Sequence, residues 1–330
     1  MGDRAADETR AARSRRVLLG TAGTGTSWGL LASLRELAPD AYVVAMDMAP
    51  AHLVAASSLS DVFEQVPAVS DEKFEPRVLE LLERHQVDTY VPTYDPEIVV
   101  AGRLRQAGLM SGIACPAPPT WAGELCWDKL ALGAWLLENG FPTPETLPAV
   151  DLGSPEAGWI VKPRRGVGSI GVERVESADD LTNVSRRSSL ADAIAQRLLA
   201  GPEVTVDAFL GGDGTSAALC RERVEVKSGV CTKARIYHDA EIADLVLEVG
   251  RKLALRGAFC AQLMADDGGA RLLTDVNPRP GAGTRLSAAV GFDVHAAMFA
   301  DLWGDDPHPH LRSLNRERWV VRQYREVVLV

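Results

Sequence analysis

The sequence predicts a mixed α/β protein, in which a small parallel-sheet domain precedes a two-lobed α+β region built on an antiparallel sheet. Three observations predict it. Apolar strand-like runs alternate with helical runs from residue 16 to about 117, the rhythm of βαβ units. Pro116 to Pro119 then breaks the chain. Beyond the break, two Gly-rich segments each follow an apolar run, and Asp266-Asp-Gly-Gly269 joins two strand-like runs in a tight turn.

Residues 1–15 are charged, alanine-rich and mixed in sign, and read as a disordered lead-in. The apolar stretch after them is broken by Gly20, Gly23 and Gly25, so it lacks the h-region of a signal peptide. In the first domain, 16–117, Val17 to Gly20 reads as a strand, Ser27 to Leu37 as a helix, and Tyr42 to Met46 as a strand ending at Asp47. Phe74 to His85 reads as a helix, Asp88 to Pro92 as a strand and Pro96 to Ala107 as a helix. Thr120 begins the next helix. A small lobe is expected over 118–185 and a larger one over 186–330, closed by an alternating strand from Trp319 to Leu329.

Chemistry concentrates in three places. Asp275 and Asn277 sit two apart at the end of an apolar run, so on a strand they face the same way. Both offer oxygen, which Mg²⁺ prefers, and Mg²⁺ commonly arrives bound to phosphate. Arg279 follows with a fork of donors suited to phosphoryl oxygens, and Pro280 to Gly283 brings backbone close to a ligand. If the turn holds two residues, Asp267-Gly268, then Gln262 opposes Leu273 and joins that face as a third oxygen donor. One extra loop residue without a compensating bulge would turn it away. The second place is Trp159 to Val175, where a strand ends at Lys162 and Gly166, Gly168 and Gly171 follow. No Gly-Lys-Ser/Thr is present and no amphipathic helix follows, which excludes the two familiar nucleotide loops. A Gly-rich hairpin can instead fold over triphosphate while Lys162 neutralises charge, or it can be an ordinary flexible hairpin. The third is Gly20 to Gly25, which with Asp47 after the next strand offers a dinucleotide reading. That reading leaves everything after residue 120 unexplained.

In their order along the chain these segments resemble the ATP-grasp superfamily, in the branch similar to carbamoyl-phosphate synthase large-subunit domains and stand-alone carboxylate–amine ligases. The resemblance runs from about Arg16 to the C-terminus. It implies an ATP-grasp fold preceded by a small Rossmann-like domain. Asp128-Lys129 and Asn139-Gly-Phe-Pro-Thr-Pro144 match the approach to the nucleotide, and Val161-Lys-Pro163 with its glycines matches the lid. Gln196 and Gly201 to Asp207 match the hinge around adenine and ribose. On this basis Lys129, Lys162, Gly166, Gly168, Ser169, Gln196, Leu198, Glu203 and Asn277 are expected on ATP, and Gln262, Asp275 and Asn277 on Mg²⁺, with Mn²⁺ as an alternative. Arg279 and Lys162 are the expected catalytic groups. The chain departs from the pattern at Asp275, usually glutamate, at Gln196-Arg197, commonly Gln-Glu, and at Gln262, usually an acid.

The implied reaction is carboxylate activation by ATP and amide formation through an acyl phosphate, with an amino acid or amino-acid-like substrate. Arg221, Arg223 and Arg285 are candidates for a substrate carboxylate. Asp95 or Glu97 is a candidate for an ammonium group, although Asp95-Pro-Glu97 equally suits a helix start. An ATP-binding regulatory or scaffold protein without turnover is the alternative class.

Composition bounds the partners. With 45 acidic against 35 basic residues the net charge is −10, which argues against nucleic acid. No apolar run approaches the ~20 residues that span a bilayer. The five cysteines have no metal-ligand spacing and suit reduced thiols in a cytoplasm. Small-molecule carboxylate and amine substrates are the expected partners, with a homodimer as one expected assembly.

Overall fold

The computed structural model describes residues 15–153, 155, 158–168, 170–323 and 326–329. The expected lead-in therefore lies outside the described residues except for Arg15, and Ser169 lies outside them too.

Strands β1 (Arg16–Leu19), β2 (Tyr42–Asp47), β3 (Val62–Gln65) and β4 (Thr89–Val91) form a parallel sheet in the order β3-β2-β1-β4. Helices α1 (Gly25–Leu37), α2 (Phe74–Arg84) and α3 (Asp95–Gln106) connect or follow these strands. The βαβ rhythm gave this sheet in outline. It missed β3, whose sequence Val-Phe-Glu-Gln is short and only half-buried, as suits an edge strand. Helix α1 starts two residues earlier than expected because the Thr24 hydroxyl accepts from the Ser27 N–H at 3.2 Å.

Helices α4 (Thr120–Trp127) and α5 (Lys129–Glu138) lead into a small antiparallel sheet. It comprises β5 (Thr146–Pro148), β6 (Trp159–Pro163), β7 (Glu173–Val175) and β8 (Ala193–Arg197) in the order β5-β8-β6-β7. The boundary expected at 185 falls inside helix α6 (Ala178–Arg187). It also assigns β8 to the wrong sheet, since Trp159 to Pro163 pair with Arg197 to Ala193 across a long sequence separation that local pattern cannot reveal.

The large sheet is antiparallel throughout, in the order β13-β12-β9-β10-β11-β14. Its strands are β9 (Glu203–Leu210), β10 (Ser216–Lys227), β11 (Val230–Tyr237), β12 (Gly257–Ala265), β13 (Arg271–Asn277) and β14 (Arg318–Val321). The closing strand stops at Val321, well short of Leu329. β14 is the sheet edge, where Trp319 and Val321 face water at 63 % and 55 % exposure, and among the described residues no strand pairs with its outer side. Central β9 is covered on both faces. Val204, Val206 and Ala208 pack with helix α7 (Ala240–Lys252), while Phe209 packs with Met298 and Phe299 of helix α8 (Val294–Trp303). Leu30 and Leu31 of α1 belong to that same cluster, so one core joins the parallel-sheet domain to the large lobe. Each fully buried phenylalanine there contributes about 1.5–3 kcal/mol of apolar transfer.

Candidate active site

A cleft of about 500 Å³ lies between the small sheet and the large one. Its floor is set by the β12–β13 hairpin. Gly269, at φ +86°, lets the turn close with one residue more than the two expected, so Ala265 opposes Arg271. A bulge between Gln262 and Leu263 then adds a second step, and Gln262 comes to oppose Asp275 rather than Leu273. Two single-residue shifts restore the face. Gln262, Asp275 and Asn277 thus point into the cleft together, and all three line it.

Lys129, first residue of α5, stands over this face. Its Nζ donates to the Gly166 carbonyl at 3.0 Å and lies 3.9 Å from Asp275 Oδ2. Asp128 caps the helix by accepting from the Ala131 N–H and also takes Arg164 Nε at 2.7 Å and Arg165 at 2.8 Å. It ties the start of α5 to the base of the glycine loop, a role that the pair Asp128-Lys129 did not disclose by itself. Lys162 on β6 donates to Gln196 Oε1 at 2.8 Å, and Gln196 Nε2 donates in turn to Thr146. Burial lowers the Lys162 pKa and neighbouring Lys129 adds to the fall, against the attraction of Asp275 and Glu203. Gln196 thereby fixes the ammonium in place.

Glu203 and Leu198 line the same cleft. The Leu198 N–H donates to the Gly158 carbonyl at 2.6 Å, and Glu203 accepts from Arg223 NH1. Arg223 also donates to the Gly229 carbonyl at 2.9 Å. This places Arg223 on the cleft wall, bound to Glu203 through NH1, with its buried Nε without a partner.

Arg279 is the best-positioned cation. Its NH2 donates to Asp95 Oδ2 at 2.7 Å and its NH1 to the Pro280 carbonyl at 3.2 Å. Burial opposes its charge, but the Asp95 carboxylate outweighs that and raises the pKa. Asp95, expected at an ammonium group, instead begins α3 and orients Arg279. Glu97 is also corrected. It is fully buried behind the glycine turn, accepting from Thr21 Oγ1 at 2.7 Å, Tyr90 Oη at 2.8 Å and the Thr93 N–H at 3.3 Å. Burial raises its pKa to about 7.

Two arginines move out of the substrate set. Arg221 is 2 % exposed and gives Nε and NH2 to Asp207 at 2.9 and 3.0 Å, while Thr284 and Ser287 complete that carboxylate's shell. A Cβ on Gly283 would come within 2.3 Å of Arg221 NH1, so the guanidinium supports the loop after Arg279 from beneath. Arg285 pairs with Glu36 and, at 3.1 Å, with Asp293, and is not among the residues lining the cleft. Sequence spacing saw their charge but could not join it to Asp207 and Glu36, which are 14 and 249 residues away.

The glycine loop spans the mouth. Gly168 and Gly171 have φ of +68° and +74°, and a Cβ on Gly229 would come within 2.5 Å of the Gly168 carbonyl. The loop therefore rests against the β10–β11 turn across the cleft. Apart from Arg164 N to Asp192 at 2.9 Å and Ile170 N to Val167 at 3.4 Å, its described amides have no backbone partner. Hydrogen exchange over 164–171 should be fast in the free protein and slow at least tenfold with Mg²⁺ and an ATP analogue. Equal protection in both states would make the loop a fixed structural element.

Among the described residues no group of three or more His, Cys, Asp or Glu could hold a metal. The oxygen set Gln262–Asp275–Asn277 contains one carboxylate, and the Gln262 amide has no protein hydrogen bond. Such a set fits Mg²⁺ that shares its coordination with a phosphate.

Comparison with known proteins agrees with this geometry. Residues 126–283 match the ATP-grasp domain model. This part of the chain is an ATP-grasp domain, and the chain has the ATP-grasp fold. It is similar in structure to N5-carboxyaminoimidazole synthetase from Staphylococcus aureus, at a TM-score of 0.70 and 15 % identity, covering 89 % of this chain and 78 % of that one. It is also similar to L-amino acid ligase from Bacillus licheniformis, at 0.69 and 17 %, covering 88 % and 74 %. A third likeness is the biotin carboxylase domain of 2-oxoglutarate carboxylase from Hydrogenobacter thermophilus, crystallised with MgADP, at 0.70 and 13 %, covering 89 % and 71 %. No curated protein sequence matches. Among the described residues no helix is long and apolar enough to cross a membrane.

Proposed function

We propose that the protein is an ATP-dependent carboxylate–amine ligase, forming an amide through an acyl phosphate and releasing ADP and phosphate, with an amino acid or amino-acid-like substrate. The observation that carries it is the convergence of Lys129, Lys162, Gln262, Asp275, Asn277 and Arg279 on one cleft beneath a glycine loop. The named activities of the similar structures, an L-amino acid ligase among them, support the same class. Small-molecule substrates, a homodimer and a cytoplasmic setting complete the proposal.

In this mechanism a substrate carboxylate oxygen attacks the γ-phosphorus and the bond to the ADP oxygen breaks. The amine nitrogen then attacks the acyl carbon, phosphate leaves, and the nitrogen loses a proton. Lys129 and Lys162 neutralise phosphate oxygens, and Arg279, fixed by Asp95, meets the transferring group and then the oxyanion. Gln196, Leu198 and Glu203 hold the nucleoside. Gln262, Asp275 and Asn277 would hold Mg²⁺, which would supply neutralisation of phosphate charge. The protein supplies alignment and charge, with no covalent attachment.

The dinucleotide alternative is weakened at Asp47. Its carboxylate accepts the N–H of Gly23 at 2.7 Å and of Ala49 at 2.8 Å, so it braces the glycine turn rather than awaiting a ribose. Mg²⁺-ATP should raise the melting temperature and NAD should not. A shift with NAD and none with ATP would reverse the assignment. ADP release over pairs of carboxylates and amines separates a ligase from a scaffold without turnover.

Asp275→Asn should leave the fold and far-UV circular dichroism unchanged while ADP production collapses. The amide keeps the shape but removes the one carboxylate of the oxygen set. Near-normal turnover at saturating Mg²⁺ would show that Asp275 holds no metal.

A further inference from the structure

Beside the nucleotide cleft lies a second cavity of about 1290 Å³, against about 500 Å³ for the cleft itself. Its walls include Phe74, Val99, Trp121, Leu125 and Trp127, and Tyr94 stands where the two spaces meet. Thr24, Tyr94 and Val167 line both. Tyr94 and Trp127 meet edge to face, with centroids 6.0 Å apart. Met48 and Trp121, on the same walls, are 67 % and 48 % exposed. A concave apolar surface of this size, continuous with a reaction cleft, suits a ligand rather than bulk water.

Charge on the walls narrows the ligand. Asp47 is engaged by the N–H groups of Gly23 and Ala49, Arg103 by Glu75, and Arg165 by Asp128. Among the described residues on these walls, the Glu124 carboxylate is the charged group without a hydrogen bond or salt bridge. Among the described wall residues no free cation awaits a phosphate or second carboxylate on the body of a ligand, and leaving such a group unpaired is costly. At the junction the situation reverses. Helix α1 begins there, and the Thr26 hydroxyl, on a residue 5 % exposed, lines the cleft with no hydrogen-bond partner. Gly25 faces Ala282 of the loop after Arg279, where an added Cβ would lie 3.5 Å from that of Ala282. A carboxylate held at this helix start would lie beside the loop that follows Arg279.

We propose that the second cavity is the specificity pocket for the activated carboxylate substrate, an amino acid or amino-acid-like acid with a large apolar body, aromatic in preference. The carboxylate stands at Thr24–Thr26 and the body fills the space between α3 and α4. The proposal rests on the ligase assignment and deepens it.

Hydroxylamine isolates the carboxylate from the choice of amine, because its nitrogen attacks the acyl phosphate and releases phosphate to give a hydroxamate. With the full chain and Mg²⁺-ATP, kcat/KM for hydroxamate formation should be at least tenfold higher for L-Phe, L-Trp and L-Leu than for Gly, L-Ala and L-Asp. Ala68→Trp, which fills the cavity from an exposed loop position, should cut the rate for L-Phe and L-Trp at least tenfold and spare the small acids. Trp121→Ala should raise KM for the aromatic acids with kcat little changed. An ATP-induced melting shift checks that each variant is folded. Faster turnover of small or charged acids, or aromatic turnover indifferent to both variants, would overturn the pocket assignment. ATP binding with no hydroxamate and no ADP from any acid would instead overturn the ligase assignment beneath it.

Discussion

Arg279→Lys should lower kcat roughly 10²–10³-fold, the usual loss when one donor aimed at developing charge is removed. The side chain keeps its charge but loses the planar fork. That fork is in use on both edges, with Nε and NH2 toward Asp95 at 3.2 and 2.7 Å and NH1 toward the Pro280 carbonyl. A lysine ammonium can meet Asp95 or the phosphoryl group, and it lacks the rigid spread to reach both. The charge on the transferring group changes most in the transition state, so kcat should fall more than ATP affinity. Asp95→Asn should follow the same direction with a smaller loss, since the guanidinium remains and loses its orientation. The measurement is steady-state ADP release at varied ATP, with nucleotide affinity taken separately from the melting shift. A higher KM for ATP at unchanged kcat in Arg279→Lys would show that the residue holds only the ground-state nucleotide.

That pairing also marks the limit of what the sequence disclosed. Asp275 and Asn277 were legible because they sit two apart at one strand end, where the two-residue period fixes their common face, and Arg279 follows just beyond it. Gln262 was legible only as far as its register. A longer turn and a bulge both occur, and each alone would have inverted it. Asp95 and Arg279 are 184 residues apart, so local pattern gives an acid at a helix start and a cation at a strand end without joining them. The βαβ rhythm of the first domain was readable for the same reason as the strand end, because its periods are local. The small sheet was not, since β8 enters between β5 and β6 from beyond α6. The second cavity was invisible for a related cause. Phe74, Tyr94 and the α4 pair Trp121 and Trp127 come from three separate segments, and each alone reads as ordinary core.

Arg221→Met should destabilise the ligand-free protein by about 3–5 kcal/mol, the range for breaking a buried ion pair from one side. Asp207 is fully buried and would keep Thr284 and Ser287 as donors at 2.8 and 2.6 Å, but its charge would have no counter-ion. The same burial sets the pH dependence. Desolvation works to raise the Asp207 pKa, and Arg221 and the two hydroxyls outweigh it, so the folded-state value lies below the ordinary one. A depressed carboxylate contributes stability that is present above the unfolded pKa of about 3.9 and is lost as pH falls through the folded value. Wild-type stability should therefore decline on acidification below about pH 4 in part through this group. Asp207→Asn should start lower at neutral pH, because it strands the Arg221 charge, and should show a shallower acid slope. Urea unfolding of the ligand-free chain at several pH values reads both effects. An Arg221→Met variant as stable as wild type would mean that the pair contributes no net stability. Loss of ADP release at unchanged stability would mean that Arg221 acts on substrate after all, and that the loop from Gly281 to Gly283 needs no support from beneath.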